Sequence, residues 1–287
     1  VDSLYVVGDV HGQHRRLRRL LENAGLVDGD GAWSGGRGHL VLLGDLFDRG
    51  PDVTKTLWFV YGLEAEARAA GGRVHVLLGN HEIMVLTDDL RYVSGKERLV
   101  AHRHGRSYTE MYHVDRSLLG RWLASKPVAL RVDDVLLAHA GIGPAYLDRD
   151  VRALDDTLRA YLDEALFRYW SDTTVALPPM DSTTVMRRYR FFFEGPSPLW
   201  YRGYARGEAA DSTVDRLLEA QDARLHVIGH TTVPSVRSRY GGRVLLVDLR
   251  EPATEMLLLV REGEGWARRV IGLEGGPRPL KGDAGDR

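Results

Sequence analysis

Five short apolar runs, each halted by a polar tract that carries a potential metal ligand, constrain this chain more than any other feature. Leu4-Tyr5-Val6-Val7 stops at Gly8-Asp9-Val10-His11-Gly12. His39-Leu40-Val41-Leu42-Leu43 stops at Gly44-Asp45-Leu46-Phe47-Asp48-Arg49-Gly50-Pro51. Val74-His75-Val76-Leu77-Leu78 stops at Gly79-Asn80-His81-Glu82, Val135-Leu136-Leu137-Ala138 at His139-Ala140-Gly141, and Leu225-His226-Val227-Ile228 at Gly229-His230-Thr231. Short apolar runs bounded by glycine read as buried strands. In open α/β sheets, ligand-binding groups collect beyond the carboxyl ends of strands. The pattern therefore predicts one site that draws on Asp9, His11, Asp45, Asn80, His139 and His230.

The segments between the runs suit α/β layering. His14 to Leu21 places Leu17, Leu20 and Leu21 on one helical face and arginines at 15, 16, 18 and 19 around them. Those arginines read as a solvated face, with anion binding as the alternative. Val53 to Ala70 reads as a helix ended by Gly71-Gly72. Val27 to Gly38 reads as loop, and Thr87 to His113 as an insertion that folds over something. Val151 to Trp170 has helical spacing, followed by a loop around Pro178-Pro179 and an aromatic tract from Phe191 to Tyr204. Val244 to Leu249 and Met256 to Val260 read as late strands that pair antiparallel in a second sheet, with Trp266 to Ile271 a third candidate. From Glu274 the chain is polar and glycine-rich and is expected to fray. The fold class is α/β, a two-sheet β-sandwich flanked by helices with a dimetal site at the strand C-terminal ends. It is expected as a single domain over 1–287, with cap-like insertions at about 85–115 and 145–222.

Composition narrows the chemistry. The 39 basic and 40 acidic side chains leave a net charge of -1, which gives no electrostatic case for nucleic acid or anionic membrane. No apolar run approaches the ~20 residues of a membrane helix. The absence of cysteine removes disulfides and thiolate metal sites together. The chain opens on Val1 rather than Met, which suggests that an upstream segment was removed, and no signal peptide is visible. Compartment stays open: cytoplasmic by default, with export of a processed form as the alternative. Oligomeric state is equally open.

Three imidazoles, two carboxylates and one amide oxygen form a mixed N/O set suited to Mn, with Fe or Zn as alternatives, and too nitrogen-rich for Mg or Ca. Six ligands exceed what one open catalytic ion uses. They suit two ions that share a carboxylate and a water, whose pKa then falls far enough to leave hydroxide near neutral pH. A phosphate ester is the natural electrophile for such a nucleophile.

The five tracts, in this order and spanning residues 8–231, resemble the calcineurin-like metallophosphoesterases, and within them the phosphoprotein phosphatase branch. The resemblance implies that Asp9, His11 and Asp45 hold the first metal, and that Asp45, Asn80, His139 and His230 hold the second. It implies that His81 is the general acid, held and charged by Asp48, and that Arg49 binds phosphate. Arg202, in Pro198-Leu199-Trp200-Tyr201-Arg202-Gly203-Tyr204, is the candidate for a second phosphate-binding arginine. The implied reaction is hydrolysis of phosphomonoesters, on phosphorylated Ser, Thr or Tyr in a protein or peptide, by attack of a metal-bridging hydroxide.

Two departures from the eukaryotic serine/threonine enzymes look like the bacterial-type, Shewanella-like phosphatases. The fourth motif is His-Ala-Gly in place of His-Gly-Gly. The tracts Asp89-Leu90-Arg91-Tyr92-Val93 and Leu199-Trp200-Tyr201-Arg202 also differ. That subgroup includes members acting on phosphotyrosine, so residue preference is open. The alternative is a dinucleoside-polyphosphate hydrolase of the Ap4A type; such enzymes typically carry alanine where this chain has Asp48.

Plainer readings stand beside these. Asp48 could cap a helix that starts near Pro51-Asp52, and Arg202 could pair with a surface carboxylate. His39, His75 and His226 read as packed structural residues. His14, His102, His104 and His113 read as surface or insertion residues, with His102 or His104 a candidate for the mouth. Phe191 to Phe193 read as packing, whereas Trp200, Tyr201 and Tyr204 are candidates to border the substrate.

Overall fold

All five apolar runs are strands in the computed structural model, which describes residues 1–162 and 182–281. They are β1 (Ser3–Val7), β2 (His39–Leu42), β3 (Arg73–Val76), β5 (Val135–Ala138) and β6 (Leu225–Ile228), with β4 (Ala129–Val132) between the third and fourth runs. The later strands are β7 (Arg237–Arg239), β8 (Val244–Leu246), β9 (Glu255–Glu262), β10 (Gly265–Gly272) and β11 (Arg278–Pro279). Two sheets result, ordered β11-β10-β9-β1-β2-β3 and β4-β5-β6-β8-β7. β1, β2 and β3 are parallel, as are β5, β6 and β8; antiparallel strands fill the remaining places. Every residue of β5 and β6 is buried, as strands covered on both faces require.

The late strands depart from expectation. β9 and β10 join the first sheet, through β9 against β1, instead of forming the second. β8 pairs parallel with β6. Met256, Leu257, Leu258 and Leu259 of β9 are buried, so this strand has the apolar content of an interior neighbour. Residues expected to fray are also tied to the fold: Arg278 and Pro279 pair with β10, and Asn23 donates to Gly272 O and Gly275 O, both at 2.9 Å.

Helices α1 (His14–Asn23) and α2 (Val53–Ala69) connect the first three strands. α1 buries Leu17, Leu20 and Leu21, and α2 buries Leu57, Val60 and Leu63, each side chain contributing roughly 2 kcal/mol by leaving water. After β3 come α3 (Asn80–Leu86), α4 (Gly95–Arg103) and α5 (Leu118–Ala124), then α6 (Val151–Leu162), α7 (Ser182–Phe193), α8 (Gly203–Arg206) and α9 (Asp211–Ala220). The expected continuation of α6 to Trp170 and the loop around Pro178-Pro179 lie outside the described residues. The segment from Thr87 folds over the first turn of α2: Thr54 Oγ1 donates to Glu97 Oε2 at 2.6 Å and meets Tyr112 Oη at 2.8 Å. Of the histidines read above as surface or insertion residues, His14 and His113 are buried, His113 within the inserted segment and His14 packed edge-on against Phe59.

Gly44, at the end of β2, has φ 98°, and a Cβ there would lie 2.3 Å from Gly79 N. Gly44→Ala is therefore expected to cost about 3 kcal/mol or more, from backbone strain plus overpacking. Denaturant unfolding of the variant checks it; wild-type stability would mean the two loops are not held this closely.

Candidate active site

The loops that follow β1 and β2 are laced together. Val10 and His11 N–H both donate to Asp45 O, at 3.0 and 2.8 Å, and Gly12 N–H donates to Leu46 O at 2.9 Å. The second sheet is tied in by His230 N–H, which donates to Asp9 Oδ1 at 3.1 Å. Left-handed backbone is concentrated here: His11, Asp45, Asp48, Arg49 and His230 all have φ between 47° and 67°. Non-glycine residues adopt this conformation at a cost, and such strain clusters at functional sites.

Eight of the ten expected residues are buried together: Asp9, His11, Asp45, Asp48, Asn80, His81, His139 and His230. Arg49 is exposed and Arg202 half-buried at their rim. His139 Nε2 lies 2.9 Å from Asn80 Oδ1, 3.2 Å from His230 Nδ1 and 3.4 Å from Asp45 Oδ1. An ion bonded at about 2.0–2.2 Å to N and O donors holds neighbouring donors about 3 Å apart, which these spacings match. The other carboxylate oxygen, Asp45 Oδ2, faces His11 Nε2 at 3.9 Å, and His11 Nε2 lies 3.7 Å from Asp9 Oδ2. Asp45 thus offers one oxygen to each cluster, the geometry of a shared ligand.

The imidazoles are set up as neutral donors. His139 Nδ1 donates to Leu43 O at 3.0 Å and His11 Nδ1 to Phe47 O at 2.8 Å, so the lone pair of each ring is at Nε2. Burial pushes both rings below the usual histidine range, His139 to about 4. His11 Nε2 and His230 Nε2 are buried with no hydrogen-bond partner among the described residues. Burial, reinforced by Asp45, raises the Asp9 carboxyl to about 6. Orphaned donors and crowded carboxylates of this kind are what a cation would satisfy. The donor set fits a pair of ions.

His81 differs from its neighbours. Its Nδ1 sits 2.6 Å from Asp48 Oδ2, and its Nε2 turns toward Asp45 Oδ2 at 3.8 Å. Burial opposes its charge, but Asp45 and the Asp48 hydrogen bond outweigh that, and the ring is held protonated up to about 9. A protonated imidazole has no lone pair for a metal. Asp48 makes no helix cap: α2 begins at Val53, after Asp52.

Residues 3–234 match the calcineurin-like phosphoesterase family. The chain belongs to that family. Among solved structures, the phosphoesterase is similar to a cold-active protein-tyrosine phosphatase of a psychrophilic Shewanella species. The two share 32% identity and a TM-score of 0.83, over 98% of this chain and 81% of that one. It is 41% identical over 95 residues to Shewanella-like protein phosphatase 2 of Arabidopsis thaliana, a match covering 33% of this chain and 24% of the plant protein. It is also 31% identical over 211 residues to a symmetrical bis(5'-nucleosyl)-tetraphosphatase of Pectobacterium carotovorum, covering 67% of each chain. No described helix of the phosphoesterase is long and apolar enough to cross a membrane.

Around the pocket rim the expected residues separate. Arg49 N–H donates to Tyr92 O at 2.8 Å, while its guanidinium pairs with no carboxylate among the described residues. Arg202 Nη1 donates to His230 O at 2.9 Å and to Thr231 Oγ1 at 3.2 Å, rather than to a surface carboxylate. The Tyr92 ring lies 5.3 Å from His81, and Trp200 stands edge-on to His230 at 5.5 Å. Tyr204 is fully buried, with its hydroxyl donating to Ile142 O at 2.8 Å, so it belongs to the core and not to the mouth. His102 and His104 are exposed on and after α4.

Two residues had no assigned role in the sequence reading. Glu82, fully buried, accepts from the N–H groups of Asp45 (2.8 Å), Leu46 (2.7 Å), Phe47 (3.3 Å) and Gly79 (2.7 Å). Its position three residues after Gly79, at the start of α3, was the available signal for a capping glutamate. Asp248 is buried near Asp9 and Asp45; burial first, then those two charges, push its carboxyl up to about 10. An apolar run, Val244 to Val247, ends at Asp248 just as the other five end at ligands.

Proposed function

We propose that this phosphoesterase is a metal-dependent phosphatase of phosphomonoesters, acting on phosphorylated Ser, Thr or Tyr in a protein or peptide. The observation that carries the reading is the 2.6 Å contact between His81 Nδ1 and Asp48 Oδ2, with the opposite ring nitrogen turned into the pocket. A serine alkoxide is a strong base and departs slowly unless it is protonated. The phosphate released from a dinucleoside polyphosphate is a weak base and needs no such help. A general acid is therefore worth most for a monoester.

In this reading Asp9, His11 and Asp45 hold one ion, and Asp45, Asn80, His139 and His230 the other. Bound there, two ions, manganese first and iron or zinc as alternatives, supply an activated water and neutralise the phosphoryl oxygens. Arg49 binds the non-bridging oxygens in its planar fork, and Arg202 reaches them from the His230 side. His81 gives its Nε2 proton to the leaving oxygen while Asp48 holds the ring. Tyr92 and Trp200 flank the pocket and suit a phosphotyrosine ring, in keeping with the named activity of the Shewanella relative. Segment 85–115 and the described parts of 145–222 are read as cap-like insertions of a single domain that border the pocket.

A second reading, hydrolysis of dinucleoside polyphosphates, is favoured by the similarity to the Pectobacterium tetraphosphatase. Turnover of a phosphopeptide panel against diadenosine tetraphosphate, with Mn(II) supplied, separates the two. The expected result is a higher kcat/KM for a phosphopeptide; a preference for the dinucleotide would overturn the proposal. Arg49→Ala is expected to lower kcat/KM by about 10–100-fold, the value of a charged hydrogen-bond pair, with little change in thermal stability because the residue is exposed. Steady-state kinetics check it, and an unchanged KM and kcat would remove Arg49 from the phosphate site.

A further inference from the structure

A sixth strand end reaches the pocket. β8 runs parallel to β6, pairing His226 with Val244 through Ile228 with Leu246, and the chain continues through Val247 to Asp248. Val247 N–H donates to Ile228 O at 3.0 Å, and Asp248 O accepts from Val233 N–H at 2.9 Å. These bonds fix the Asp248 backbone beside the loop that carries His230. On its other side lies the Asp9 loop. A Cβ on Gly8 would fall 2.9 Å from Asp248 Cα, and one on Gly229 would fall 2.9 Å from Asp9 Oδ1 and 3.8 Å from Asp248 Cβ.

Asp248 is 2% exposed, and its Oδ2 is buried with no hydrogen-bond partner among the described residues. Asp9 and Asp45 are equally buried in the same pocket. Three carboxylates crowded out of water repel one another unless a cation or a donor compensates them. Arg49 and Arg202 face the same group, but neither donates a hydrogen bond to it. Asp9 and Asp45 each bring a carboxylate oxygen within 4 Å of an imidazole nitrogen of the site, at 3.7 Å and 3.4 Å, and no such approach is found for Asp248 among the described residues. That separation argues against a direct metal bond and for a partner one molecule further out.

We propose that Asp248 is a positioning residue of the metal centre, whose carboxylate accepts a hydrogen bond from water on the Asp9–His11 side and adds a third negative charge to balance the cations. The proposal rests on the metal reading given above. Outer-shell acceptors of this kind orient the inner groups and typically carry 10–100-fold of metal affinity. Each parallel strand of both sheets then ends at a residue that serves the site: β1, β2 and β3 in the first, and β5, β6 and β8 in the second.

Asp248→Asn keeps the shape and removes the charge. Chelator-stripped wild type and variant would be compared by thermal melting, then titrated with Mn(II) by calorimetry. The expected result is a stripped variant that melts no lower than stripped wild type, because asparagine keeps the shape of the side chain and brings no charge into the buried pocket. Its affinity for Mn(II) is expected to be about 10–100-fold weaker. Unchanged Mn(II) affinity, or a stripped variant that melts lower while binding Mn(II) normally, overturns the proposal and marks Asp248 as structural. If the asparagine variant does not fold, Asp248→Ser carries the same titration and the same outcomes. Failure of wild type itself to bind Mn(II) would instead defeat the metal reading.

Discussion

Replacing His81 with alanine is expected to leave the metal content intact and to slow hydrolysis of a phosphoserine peptide by about 10²–10⁴-fold, the usual worth of a positioned general acid. The ring contributes through two contacts. Nδ1 is held by Asp48 Oδ2 at 2.6 Å, and Nε2 faces the pocket. When cations neutralise Asp45, Asp48 is the charge that keeps the proton on the ring. The loss should therefore depend on the leaving group. It is largest for an alkyl ester such as phosphoserine, smaller for phosphotyrosine, and smallest for a nitrophenyl ester that departs without a proton. Asp48→Asn, which keeps a hydrogen bond but removes the charge, should show the same order with smaller losses. A wild-type rate on phosphoserine peptide in His81→Ala would falsify the acid assignment.

Glu82→Ala is the substitution with the largest expected effect on stability. Four backbone N–H groups from two loops converge on its carboxylate, all in the interior. Each orphaned buried donor costs about 1–3 kcal/mol, so the variant should lose about 4 kcal/mol or more. That is a large part of the roughly 5–15 kcal/mol that holds an ordinary protein together. The Asp45 loop and the start of α3 would lose their common anchor, so metal binding should fall with stability. Urea unfolding of the metal-free chain measures the first effect. A loss below about 1 kcal/mol would mean that water or a rearranged loop satisfies those donors.

Much of the site was legible because its groups sit at strand ends, where a local pattern of apolar residues, glycine and a polar ligand repeats along the chain. Asp45 and Asp48 follow β2 as directly as Asp9 and His11 follow β1. Sheet partnership was less legible. Pairing of β9 with β1 joins residues more than two hundred positions apart, and nothing local to Met256–Leu259 states which edge it will cover. Asp248 escaped notice because its strand was read as antiparallel, which would have put its end away from the pocket. Tyr204 and His14 were misjudged because a polar tip is no guide to burial until its neighbours are known: the Tyr204 hydroxyl is bonded in the interior, and the His14 ring packs edge-on against Phe59. The short strands β4 and β7 carry arginines on half-exposed edges, so their apolar content alone did not mark them.

The central claim is that strand ends from two sheets assemble a two-ion centre with Asp45 shared between the ions. Elemental analysis of the chain after reconstitution with Mn(II) and removal of excess metal tests it most directly. Two ions per wild-type chain are expected, with loss of metal together with activity in Asp45→Ala, since the substitution removes a ligand from both clusters at once. One ion per wild-type chain, or an Asp45→Ala variant that still holds two, would contradict it.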